Sequence, residues 1–244
     1  MLKRLDKFLC DNKIGTRSQV KGLIQKGLVT VNGEAVKKAD VKVADTDIVC
    51  YQGTVLSSEE FGYFMLNKPA GVISATEDGS QPTVLDFFKN EPYKNLYPVG
   101  RLDKDTEGLL LITNDGPLGH ELLSPKKHVP KIYYAKLSHG LSRTDIDALE
   151  NGVDIGEKNL TLPAKVEVID ETAVHITITE GKFHQVKRMF EAVGNQVVYL
   201  KRISMGKLRL DESLALGDYR PLTEEELNLL KTDHEKNLLR ILRN

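Results

Sequence analysis

Residues 52–60, Gln-Gly-Thr-Val-Leu-Ser-Ser-Glu-Glu, are mostly polar and follow neither a helical nor a strand period. The stretch reads as a linker, and it divides the 244-residue chain into a small unit over 1–58 and a larger one over 59–244. Charge divides the same way. Residues 1–58 carry ten Lys and Arg against six Asp and Glu, whereas the remainder carries 24 against 29. Such asymmetry points to a basic module joined to a larger body. With 40% hydrophobic and 28% charged residues the chain is neither disordered nor low in complexity. It contains no Trp, so the cores are expected to be built from Leu, Ile and Val.

Cys10 and Cys50 are too few for a disulfide framework or a four-cysteine zinc site. The longest apolar runs are too short to cross a bilayer. The start, Met1-Leu-Lys-Arg-Leu-Asp, has charges where a signal peptide needs its apolar stretch. A cytoplasmic protein without membrane association is expected.

The small unit reads as α/β. Leu5, Phe8 and Leu9 make one helical stripe; Val20, Leu23 and Ile24 make a second. Thr16 and Gln19 form a capping-box pair, and Gly27 is placed to end the second helix in the left-handed region. Asn32-Gly33 between short β-type runs predicts a hairpin, and 45–51 a further strand. Seven basic residues and two acidic ones fall within 1–30. Arg4 and Lys7 lie off the first apolar stripe, and Arg17 and Lys21 share a face of the second helix. The cluster is either a phosphate-neutralising surface or a solvated face.

In the larger unit strands are expected at 63–66, 109–113, 132–137, 164–169 and 174–179, and helices at 84–89, 118–123, 144–151 and 184–193. No strict strand–helix alternation appears, which favours an α+β fold with a mixed or antiparallel sheet. Thr223 with Glu226, followed by Leu227, Leu230, Leu238, Ile241 and Leu242, predicts a closing helix packed on this unit.

The segment that looks like chemistry is Gly100-Arg-Leu-Asp-Lys-Asp-Thr-Glu-Gly108, a polar loop joining Tyr97-Pro98 to an apolar strand. It is either a catalytic loop on a rigid strand or a turn whose acids bind backbone amides. A Walker phosphate loop, a Gly-x-Gly-x-x-Gly turn and a Gly-x-Ser-x-Gly elbow are absent, and no two of the six histidines have metal-ligand spacing. A carboxylate-centred mechanism remains, or no chemistry.

Arg4-Leu-Asp-Lys-Phe-Leu, Thr16-Arg-Ser-Gln-Val and the stretch from Ile24 to Gly33 resemble the S4 RNA-binding domain. The likeness implies two packed helices and a small sheet gripping structured RNA, with Arg4, Arg17, Ser18 and Lys21 at or near the RNA face and Lys7 beside them. Tyr97 to Gly116 resembles the signature of the RsuA/RluB/E/F family of pseudouridine synthases. Leu66-Asn-Lys-Pro-Ala-Gly-Val72, Lys131-Ile-Tyr133, Glu180 to Phe190 and Gly217 to Glu224 match further family segments in order. The resemblance implies a small S4-like α/β module ahead of a catalytic domain with the pseudouridine synthase fold.

It also implies isomerisation of a uridine within ribosomal RNA, with no cofactor and no metal. Asp103 is then the essential carboxylate, a nucleophile at C1′ or a base for the 2′ proton. Lys187 occupies the family's Lys/Arg position and would favour the charged form of Asp103. Tyr133 would stack on the flipped uracil or assist proton removal from C5. Arg101 would contact phosphate or fill the gap left by the extruded nucleotide. Asp105 and Glu107 are read as structuring the loop, and Tyr134 as a core aromatic.

The stretch 181–209, with Lys182, Lys187, Arg188, Lys201, Arg202, Lys207 and Arg209, is expected to extend the RNA track. Lys187 and the sequence around 193–198 fit the small-subunit rRNA branch, so rRNA of that subunit or a pre-ribosomal particle is the expected partner and the protein a monomer. Three other readings stand beside it: the same reaction on large-subunit rRNA, an inert ribosome-associated binding protein, and a hydrolase with paired acids that would release free base or sugar.

Overall fold

The computed structural model describes residues 2–12, 14–44, 46–56 and 61–230. The chain splits into two compact units, Met1–Glu60 and Phe61–Asn244.

The first unit opens with β1 (Leu2–Arg4), α1 (Leu5–Asp11) and α2 (Arg17–Gln25). Strands β2 (Val29–Val31), β3 (Glu34–Ala35), β4 (Lys42–Ala44), β5 (Val49–Tyr51) and β6 (Thr54–Leu56) follow. Leu5, Phe8 and Leu9 of α1 meet Val20 and Ile24 of α2 over Val29, Val43 and Val49. Thr16 and Gln19 close the capping box on α2. Asn32 and Gly33 both have positive φ, the conformation that a tight two-residue hairpin requires. Two features depart from the expectation. β1 pairs with β4, a contact between distant residues that no local period announces. Part of the expected linker is strand: Gln52 and Gly53 turn the chain and Thr54–Leu56 pairs with Val49–Tyr51.

The second unit contains β7 (Tyr63–Lys68), β8 (Tyr97–Pro98), β9 (Glu107–Thr113), α3 (Gly116–Leu123), β10 (Lys131–Leu137) and α4 (Arg143–Asn151). It continues with β11 (Lys165–Val168), β12 (Ala173–Ile178), α5 (Gln185–Ala192), β13 (Val197–Met205), β14 (Leu208–Arg209) and β15 (Tyr219–Pro221). The main sheet runs β11-β12-β10-β13-β9-β7-β15, with β14 on β13 and β8 on β9. Among the described residues β13 and β9 pair in parallel and the other strand pairs of this sheet are antiparallel, so the sheet is mixed. Both faces are covered. Phe64, Leu66, Leu110 and Ile112 join Val186, Met189 and Phe190 of α5 on one side, and Met65, Leu109 and Leu111 join Leu118 and Leu122 of α3 on the other. That is why β7 and β9 read as continuous apolar runs rather than alternating ones.

The long strand β13 is absent from the sequence expectation, because Lys201 and Arg202 break its apolar pattern. The helical stretch expected at 84–89 is a 3-10 helix over Val84–Phe88. Gly108 explains how β13 sits against β9. Its φ is +99°, and a Cβ there would overlap the Arg202 carbonyl oxygen, so only glycine permits this approach. Toward the end of the described chain Thr223 and Glu226 exchange the expected capping bonds, and Leu227 and Leu230 pack on the α3 side. Leu238, Ile241 and Leu242 lie outside the described residues. Among the described residues no helix is long and apolar enough to cross a membrane.

Candidate active site

The loop from Gly100 to Thr106 carries Asp103, and its backbone is fastened from two sides. On one side Ser74 holds Leu102: the serine Oγ donates to the Leu102 carbonyl at 2.8 Å and accepts from the Leu102 amide at 3.0 Å. The Leu102 side chain is sunk in the core beneath. On the other side stands Lys68, the last residue of β7 and fully buried. Its ammonium donates to the carbonyls of Pro69, Asp103, Lys104 and Thr106 at 2.9–3.3 Å. The Gly71 amide adds a bond to the Lys104 carbonyl, and the Thr106 amide one to that of Asp103. Burial pushes Lys68 down to about 8, against the opposing pull of Asp103, Asp105 and Glu107. A carboxylate held on such a frame keeps its place without help from its own oxygens.

Those oxygens are accordingly uncommitted. The Asp103 side chain retains 23% of its exposure, and neither oxygen accepts a hydrogen bond among the described residues. Lys187 Nζ stands 3.5 Å from Oδ2 and His184 Nε2 stands 3.6 Å from Oδ1. Lys187 lies nearer to Asp105, at 2.5 Å, and this bond is the main cause holding the Asp105 carboxyl below the usual range. Asp105 therefore anchors the lysine between two carboxylates. Glu107, the first residue of β9, accepts from the Tyr199 hydroxyl of β13 at 2.7 Å, so each of the two neighbouring acids is engaged by a side chain of another element.

The sheet lays out the floor. Register places Lys68 opposite Gly108, Gly108 opposite Arg202, Arg202 opposite Tyr133 and Tyr133 opposite Ile176, one row across five strands. Tyr133 is thus two strands from the end of the Asp103 loop, about 10 Å. Its ring is 8% exposed within the core on the α5 side, and its hydroxyl has no hydrogen-bonding partner among the described residues. Tyr134 points to the opposite face, as expected of a strand, but it is half-buried against Tyr199 and His175 rather than in the core. Arg101 is exposed and has no partner among the described residues.

The expected RNA track along 181–209 is corrected in three places. Lys182 is tied to the carbonyls of Asn159 and Leu160 at 3.2 and 3.1 Å, so its ammonium is not a free phosphate ligand. Arg188 is bound to Glu157 and to the carbonyls of Ile155 and Phe183. Arg202 is 2% exposed; its Nε donates to the Leu109 carbonyl, and one terminal nitrogen has no partner among the described residues.

In the first unit Arg17, Ser18, Lys21 and Lys7 are all exposed. Arg4 is only partly available: its guanidinium donates twice to Asp6, at 3.1 and 2.9 Å, and Asp6 is held below the ordinary carboxylate range chiefly by that contact.

The sequence reading assigned no role to Lys68 or His184. The signal for Lys68 was a lysine ending an otherwise apolar strand directly before Pro69. For His184 it was a histidine at the start of the helix that carries Lys187.

Comparison with known proteins agrees with this arrangement. The RNA pseudouridylate synthase family matches residues 62–192, and the S4 domain matches residues 3–49. An uncharacterised RNA pseudouridine synthase of Bacillus subtilis is 52% identical over 93% of this chain and 98% of its own. A ribosomal small subunit pseudouridine synthase A of Haemophilus influenzae is 44% identical over 93% and 99% respectively. The crystal structure of a pseudouridylate synthase, 44% identical, superposes with a TM-score of 0.68 over 93% of this chain and 99% of that one. The chain belongs to the RNA pseudouridylate synthase family and carries an S4 domain ahead of its catalytic unit.

Proposed function

We propose that the protein converts a uridine of small-subunit ribosomal RNA into pseudouridine, with Asp103 as the reacting carboxylate. The observation that carries this reading is the Asp103 side chain itself: seated on a fastened loop, open to solvent, free of hydrogen bonds among the described residues and flanked by Lys187 and His184. The reaction breaks the N1–C1′ bond, turns the uracil and joins C5 to C1′; N1 gains a proton and C5 loses one. Whether Asp103 attacks C1′ or takes the 2′ proton, it must act as a carboxylate with an oxygen free, and its exposed side chain leaves one within reach. Lys187 sets a positive charge beside the carboxylate while Asp105 keeps the lysine in place. Tyr133, with its unengaged hydroxyl, is the group assigned to the uracil, and exposed Arg101 to the RNA strand. The target nucleotide leaves its stack to reach them, at a cost of about a few kcal/mol repaid by contacts in the pocket.

The small-subunit assignment is supported by the name of the Haemophilus influenzae relative and by the sequence around Lys187. The unpaired Cys10 and Cys50 suit a reducing compartment, the cytoplasm where ribosomes assemble, and the enzyme is proposed to act as a monomer. The test is to incubate the protein with small- and large-subunit rRNA transcripts and partly assembled subunits, then map pseudouridine by chemical labelling and reverse transcription. One site in small-subunit rRNA is expected. Product confined to large-subunit rRNA contradicts the substrate, and no product in any RNA contradicts the reading.

The S4 unit is proposed to grip RNA through the exposed Arg17 and Lys21. Replacing both with glutamine should weaken binding and flatten the log–log salt dependence by about 0.7–0.9 for each phosphate that is no longer neutralised. A binding titration at several salt concentrations measures this, and an unchanged slope removes both residues from the interface.

A further inference from the structure

The turn that leads into α5 presents an aromatic surface that the reaction at Asp103 does not itself require. Phe183 is 72% exposed, more than any other large hydrophobic residue described. Its ring stacks on the His184 imidazole, with centroids 3.7 Å apart and planes within 20°. That imidazole is the one whose Nε2 stands 3.6 Å from Asp103. The two rings therefore form a short shelf that begins at the reacting carboxylate and ends in solvent.

The shelf is not a loose loop that happens to carry a phenyl ring. His184 adopts a left-handed backbone with φ of +48°, uncommon for a residue with a Cβ. Arg188, braced by Glu157, donates to the Phe183 carbonyl at 3.0 Å. Buried Gln185 accepts from the Lys182 amide and donates to Glu180, both at 2.9 Å, and its own amide bonds to the Lys182 carbonyl. Four side chains thus fix a turn whose outward product is an uncovered aromatic face. Holding such a face in water is unfavourable, while a preorganised ring loses little freedom when a flat partner arrives.

We propose that Phe183, backed by His184, is the platform on which a base next to the target uridine stacks. This rests on the reading that an RNA uridine brings its ribose to Asp103. A strand whose flipped nucleotide reaches Asp103 can lay a neighbouring base across the shelf that begins there. Every base offers a π-face, and unstacked bases in RNA are commonly held on aromatic rings. Phe183 is a positioning residue: it holds the flanking strand while Asp103 reacts.

The experiment uses the full chain and small-subunit rRNA labelled with tritium at uridine C5, because isomerisation releases that tritium. Phe183→Ala should raise the half-saturating RNA concentration about tenfold, with a smaller effect on the maximal single-turnover rate. Phe183→Tyr should restore the parent value. Phe183→Leu, apolar but without a π-face, should behave like alanine. The salt slope should match the parent in all three, since stacking neutralises no phosphate. Alanine titrating like the parent, or leucine matching phenylalanine, overturns the platform while the assigned activity stands. A parent protein that releases no tritium overturns both.

Discussion

Lys68→Met should slow pseudouridine formation about a hundredfold while RNA affinity stays near the parent value. Methionine keeps the buried stem and removes only the ammonium, so four carbonyls from Pro69 to Thr106 lose a shared donor. Two of them keep a backbone donor, from Thr106 onto Asp103 and from Gly71 onto Lys104. Relief from burying a cation offsets part of the loss, so global stability should fall by only about 1–3 kcal/mol. The rate is more sensitive, because a displacement of about 1 Å at a reacting group can cost a factor of about 100. Single-turnover rates beside thermal melting separate the two effects, and a parent-like rate would show that the loop does not depend on this lysine.

The same residue predicts a pH dependence. Lys68 in the folded chain sits at about 8, below the 10.5 of an ordinary lysine. The unfolded chain binds more protons between these values, so the contribution of this group to stability rises as pH climbs through that window. The loop does the opposite: a neutral amine offers two N–H groups to four carbonyls. Activity should therefore decline on the alkaline side with a midpoint near 8 while the fold does not weaken, and Lys68→Met should lack that limb.

What was legible in the sequence followed from local rules. The Leu5/Phe8/Leu9 stripe, the Thr16–Gln19 cap and the Asn32-Gly33 turn depend on residues a few positions apart, and each is present in the structure. The ordered motifs around Asp103 and Lys187 named a family, and the fold places the two side chains 3.5 Å apart. Features set by distant neighbours were missed. β1 finds β4 some forty residues on, and β13 reads as a basic stretch because nothing local shows that Arg202 is buried. The cations Lys182, Arg188 and Arg202 looked alike in sequence, yet carbonyls and a carboxylate engage the first two and the core encloses the third. Lys68 escaped notice for a related reason: its four acceptors are main-chain atoms, which carry no signature in the side-chain alphabet.

The central claim concerns the charge on one side chain, and Asp103→Asn isolates it. Asparagine keeps the shape of the residue, and among the described residues the carboxylate makes no hydrogen bond whose loss could disturb the loop. Lys187 retains Asp105 as a partner at 2.5 Å. Melting temperature should therefore match the parent, and RNA affinity should stay within about a factor of two of it. The isomerisation rate should fall by at least about a thousandfold, a barrier increase of about 4 kcal/mol, because an amide can neither attack C1′ nor accept the 2′ proton. The deciding measurement is pseudouridine formed in small-subunit rRNA under single-turnover conditions, with the variant saturating the RNA. No product above background is the predicted result; product at the parent rate would contradict the account.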